Sequence, residues 1–121
     1  MGATGLAADP AEYRARLREQ DDAQIDAWAG ELMRDSARRH GIIRVLTDVR
    51  KAARLDDRSL ERVYAAGGGP PATLGRAADG RVMVPAVTLH CLVPGIRRET
   101  ADGRDRLIEY LVENFEDLVY V

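Results

Sequence analysis

Residues 82–96 read Val-Met-Val-Pro-Ala-Val-Thr-Leu-His-Cys-Leu-Val-Pro-Gly-Ile, the most apolar run in the chain, and their reading decides the fold. A run that is apolar on every side is buried in either structure, so periodicity alone does not separate strand from helix. Pro85 cannot donate to a ladder; it ends a strand there and opens a short buried helix reaching Val93, before Pro94-Gly95. Just upstream, Ala78-Asp79-Gly80 separates residues 72–77 from residues 81–84. Asp-Gly supplies the positive φ angles of a tight turn, so these two segments are predicted to pair as a β-hairpin.

Gly67-Gly68-Gly69-Pro70-Pro71 suits neither a helix nor a central strand and marks the main internal boundary. It is a linker rather than a phosphate cradle, because a helix leads into it and a hairpin follows, with no Lys-Ser or Lys-Thr nearby. Before it the pattern is helical. Asp9-Pro10-Ala11-Glu12 is a helix start, and Asp21 followed by Gln24 is a second one. Residues 10–40 are therefore read as two helices kinked at Asp21, the second ending at Gly41. Its Ile25, Trp28, Leu32 and Met33 are expected to bury against the C-terminal helix. Val45, Leu46 and Val49 mark a third helix, and Leu55-Asp56-Asp57 makes a turn and cap before a short fourth. Thr100 or Asp102 caps the last helix, whose apolar side is Leu107, Ile108, Leu111, Val112 and Phe115. The predicted fold is mostly α, in the α+β class. It is one small domain of helices plus one β-hairpin, in winged-helix-like order. Residues 1–8 form a flexible N-terminus, 9–66 a helical part, 67–71 the linker, and 72–121 the hairpin and C-terminal helix.

At 121 residues the chain fits one domain, and Leu, Ile, Val and Phe make up 23% of it, enough for a packed core. The lone Cys91 excludes an intrachain disulfide framework and a Cys-rich zinc module. No stretch reads as a membrane span or a signal peptide, so the chain is expected to be soluble and cytoplasmic. Cys91 and His90 are neighbours on one element and do not readily converge on a metal or form a nucleophile pair. Ser36 and Ser59 lie outside any nucleophile-elbow context, and His40 sits in the last turn of its helix, where a cation suits the dipole. Catalytic, cofactor and metal sites are all expected to be absent.

Charge is unevenly distributed: residues 9–33 carry a net −4, 34–62 a net +4, 63–98 a net +3 and 99–121 a net −5. Arg44, Arg50, Lys51 and Arg54 form a basic ridge opposite Val45, Leu46 and Val49. Asp102, Asp105, Glu109, Glu113 and Glu116 form a one-signed strip on the last helix, with like charges at i,i+4 twice. Two amphipathic helices that bury their apolar sides in one core are not expected to meet charge to charge. The ridge and strip are therefore predicted to pair between chains, or with another protein. The best reading is a non-catalytic interaction module or accessory subunit of a larger assembly, expected to be oligomeric because its charges are complementary.

The alternative reading is a winged-helix DNA-binding regulator. Its readers would be Arg58, Ser59 and Arg62 on the fourth helix, with Arg76 and Arg81 on the wing. Asp56, Asp57 and Glu61 disfavour nucleic acid, since they would face phosphates. A third reading starts from Arg44-Val45-Leu46-Thr47, Val63-Tyr64 and Gly69-Pro70. These somewhat resemble the helical core of bacterial sulfur-relay proteins, which carry persulfide on a C-terminal cysteine. The resemblance implies a sulfur or redox carrier, but the chain ends in Tyr120-Val121, and Cys91 would have to serve.

Overall fold

A computed structural model describes residues 9–69, 75–76, 78, 82–83 and 86–115. Six α-helices follow one another: α1 (Pro10–Arg18), α2 (Asp22–His40), α3 (Ile42–Ala53), α4 (Asp57–Ala66), α5 (Leu92–Glu99) and α6 (Gly103–Glu113). A 3₁₀ helix, Ala86–Cys91, leads directly into α5. Local side chains set the starts. Asp9, Asp21 and Asp56 each accept a bond from the backbone N–H three residues on, at 2.8, 2.8 and 2.7 Å. Residues 10–40 are two helices, as the caps predict, and Gly41 closes α2 with φ 92°. Asp102 precedes α6, but its carboxylate turns to Arg106 instead of capping, and Thr100 Oγ1 donates back to the Ile96 carbonyl.

The predicted β-hairpin, the winged-helix order and the α+β class are corrected to an all-helical fold. Between α4 and the 3₁₀ helix, the described backbone gives only a two-residue contact, Gly75 opposite Met83 and Arg76 opposite Val82. That is far short of strands that could form a sheet layer or a wing. The decisive run after Pro85 is helical for a visible reason. Leu89, Leu92, Val93 and Ile96 are all buried and stand at i, i+3, i+4 and i+7, the spacing of one helical stripe. Pro94 does not stop it at Val93 as expected, because it occupies the first turn of α5, where no intrahelical N–H bond is required.

The core is built by helices. Within it α6 packs against α1, α2, α3 and α5, burying Leu107, Ile108, Tyr110 and Leu111. Ile25, Leu32 and Met33 of α2 are buried as expected, whereas Trp28 is only partly covered, at the edge of the core. α4 and α5 pack with their backbones in direct approach. A Cβ added at Gly95 would lie 1.8 Å from the Val63 carbonyl oxygen, and one at Gly67 would lie 1.9 Å from that of Cys91. Backbone meets backbone there, and no side chain larger than hydrogen fits between.

Candidate functional site: the charged cleft between α3 and α6

α3 buries Val45, Leu46, Val49 and Ala53 and turns Ile43, Thr47, Lys51 and Arg54 to solvent. These four fall within a strip about 80° wide at 100° per residue. Ile43 is 62% exposed, the one large hydrophobic side chain so placed among the described residues. The helix ends on Arg54 itself, in the left-handed region at φ 56° and ψ 50°, with Leu55 N–H reaching back to the Arg50 carbonyl at 2.9 Å. Burial of Leu55 holds this C-terminal turn in place, so Arg54 carries a conformation that is uncommon for a non-glycine residue.

Across from Arg54 lies the outer side of α6. Ala52, Arg54, Asp102, Asp105, Arg106 and Glu109 line a cleft of about 270 Å³. Glu109 is gripped from the far side by α1: Arg14 Nε donates at 2.7 Å to one oxygen and Nη2 at 2.9 Å to the other. This bidentate bond, with the charges of Arg14, Arg18 and Arg54 behind it, holds the Glu109 carboxyl below the usual range. Asp102 is likewise lowered, first by the 2.6 Å bond from Arg106 and then by the charges of Arg106 and Arg54. Both acids are fixed as anions at neutral pH, while Asp105 and Glu113 stand exposed beside them.

The structure brings part of the basic ridge to the acidic strip within one chain. Arg54 reaches the cleft, Lys51 points to solvent, Arg44 is bonded to Asp48 at 2.9 Å, and Arg50 to Asp57 at 2.8 Å. The expectation that ridge and strip pair between chains rather than within one does not hold for Arg54, which faces the strip of its own chain. Charges at the flank of an amphipathic helix can meet across a packed pair even while both apolar stripes are buried. Glu116 lies outside the described residues. Sequence reasoning missed Arg14, whose partner is 95 positions away. It also missed Ile43, although an adjacent Ile42-Ile43 pair spans 100° of helix and cannot point wholly inward.

The alternative sites fare differently. In α4, Arg58 is exposed, Ser59 Oγ accepts from Arg62 at 3.1 Å, and Arg62 Nε donates to Glu99 at 2.5 Å. The helix is packed along α5 and held there, with Arg98 donating to the Ala66 carbonyl at 2.8 Å. Asp56 is lowered below the usual range by its bonds from Ser59 and remains anionic at the head of α4. A recognition helix must instead present a free face to a groove. Only the backbone of Arg76 is described, and Arg81 lies outside the described residues. His40 stands exposed in the last turn of α2.

Cys91 is 1% exposed, its sulfur 3.7 Å from His90 Nε2. Persulfide transfer needs a sulfur that a second thiol can reach, so this burial weighs against a carrier role. Thiol reagents are expected to label Cys91 slowly in the native protein and rapidly in denaturant. Rapid native labelling would restore the carrier reading. Among the described residues, no group of three or more His, Cys, Asp or Glu could hold a metal ion, and no helix is long and apolar enough to cross a membrane. No family model, curated protein or solved structure matches the chain.

Proposed function

We propose that this chain is a non-catalytic protein-interaction module, an accessory or self-associating subunit, whose contact surface is the solvent face of α3 together with the acidic lip of α6. The observation that carries the reading is Ile43, 62% exposed at the head of a stripe that continues through Thr47 and Lys51 to Arg54. An apolar anchor flanked by cations is suited to a protein surface that offers a pocket edged with carboxylates. The exposed Asp105 and Glu113 of α6 provide such carboxylates on a second copy.

The test is the solution mass at low and high salt. Association through this face gives a mass above the 13.3 kDa of one chain at low salt and a return toward it at high salt. Ile43→Asp, or Asp105→Arg with Glu113→Arg, is expected to bring the low-salt mass down to one chain without changing helix content. A wild-type mass of one chain at both salts, unchanged in the variants, overturns self-association through this face. Capture of random duplex DNA that falls steeply with salt would favour the nucleic-acid reading instead.

A further inference from the structure

The joint between α1 and α2 is held by the local Asp21 cap and by side chains from the opposite end of the chain, Arg104 foremost. Arg104 of α6 sends Nη2 to the carbonyls of Arg18 at 2.9 Å and Gln20 at 2.5 Å, and approaches that of Leu17 at 3.5 Å. Its Nη1 donates to the Asp22 carboxylate at 2.7 Å, and Arg97 adds bonds to the Asp22 carbonyl at 3.1 Å and to Asp26 at 2.8 Å. In an unbroken helix those carbonyls would have ordinary partners four residues on: Arg18 with the Asp22 N–H, and Gln20 with the Gln24 N–H. In the bent chain the Gln24 N–H goes to the Asp21 carboxylate at 2.8 Å instead. The bend thus replaces each of these helical bonds with a side-chain substitute.

The sequence favours the bend through the Asp21 cap but contains no residue that makes it obligatory. No glycine or proline lies between residues 11 and 29, Glu19 is already helical at φ −85° and ψ −11°, and Asp21 leaves the helix only through its ψ of 168°. Rotating that joint would fuse α1 and α2 into one helix of 31 residues, about 46 Å long. α1 would leave its seat on α6, the helix it packs against. What holds it there is remote in sequence: the Tyr13 ring, 5.4 Å from that of Phe115, and the Arg14–Glu109 pair. Another copy's α1 carries the same Tyr13 and Arg14 to offer the vacated seat, whereas a foreign helix would have to reproduce them.

From these observations we infer that α1 is an exchangeable arm: with Arg104 released, α1 and α2 fuse and α1 docks on α6 of a second copy, in a reciprocal swapped dimer. The swap does not depend on the α3 face, and salt-sensitive association through Ile43 and Asp105 is lost in variants that leave the arm intact.

Two measurements test it. Arg104→Gln removes the charge-assisted bonds to the Arg18 and Gln20 carbonyls, which a straight helix would satisfy itself, and should shift the monomer–dimer equilibrium toward dimer by about tenfold or more. The second mixes two chains, one carrying Arg14→Glu and the other Glu109→Arg. Each alone opposes like charges on its own arm and seat, but a swapped heterodimer sets opposite charges together at both seats. With Asp105→Arg and Glu113→Arg added to both chains to remove association through the α3 face, the mixture is expected to give a species of twice the 13.3 kDa chain mass that neither variant forms alone. The pair is about one-third exposed, so neither reversal buries an unpaired charge, and circular dichroism reports that each chain remains helical. A mixture that stays at one chain mass, or Arg104→Gln that stays monomeric at every concentration, overturns the swap.

Discussion

Gly95→Ala is expected to destabilise the protein by about 3 kcal/mol or more, because one methyl group must enter where two backbones already touch. Its Cβ would lie 1.8 Å from the Val63 carbonyl oxygen and 2.7 Å from the carbonyl carbon. Neither is the end of a flexible side chain, so α4 and α5 must separate and loosen Leu60, Val63, Leu92 and Ile96 together. Gly30→Ala in α2 supplies the contrast. Its added Cβ comes no nearer than 3.4 Å to anything, and the contact is the tip of Arg34. Mid-helix alanine then gains about 0.5–1 kcal/mol over glycine. Urea unfolding of both variants reads the result as opposite shifts in midpoint. A loss under 1 kcal/mol at Gly95 would mean that the α4–α5 crossing is not as close as described.

Tyr64 carries an effect of the same order. It is fully buried on α4, and its hydroxyl has no hydrogen-bond partner among the described residues. Burial first, and then the neighbouring Cys91, pushes its phenol pKa upward, so the group stays neutral. Tyr64→Ala should cost about 3–5 kcal/mol, the range for emptying a fully packed aromatic site. Tyr64→Phe keeps the ring and removes an unsatisfied hydroxyl, and is expected to be neutral or to gain about 1 kcal/mol. If Phe costs more than 1 kcal/mol, the hydroxyl is bonded in solution.

Helix ends are legible in this sequence because each is written in residues a few positions apart: Asp9 with Glu12, Asp21 with Gln24, Asp56 with Ser59. Stripes such as Val45, Leu46 and Val49 are legible for the same reason. The run from Val82 to Ile96 misleads because its apolar residues satisfy period 2 and period 3.6 together, and Asp79-Gly80 tips the reading toward a hairpin. Pro94 compounds the error, since a proline stops a helix only when it falls beyond the first turn. The acidic strip is legible, but the fate of its charges is not: Arg14 and Arg104 join positions more than 80 residues apart. Periodicity reports which side of a helix is wet and carries no information about which wet sides meet.

The contact between the rings of Tyr13 and Phe115, 5.4 Å apart, joins the two ends of the described chain across the whole fold. Roughly 100 residues are looped between them, and closing a loop of that length costs on the order of 4 kcal/mol in chain entropy. Few pairs in the molecule constrain the denatured ensemble as strongly if tied covalently. In the chain-entropy picture, one cross-link at this seam stabilises by up to about 4.7 kcal/mol, less whatever packing is lost where Tyr13 and Phe115 meet the core. Made within a single molecule, the same bond turns the fold into a topological ring and prevents α1 from leaving for another copy.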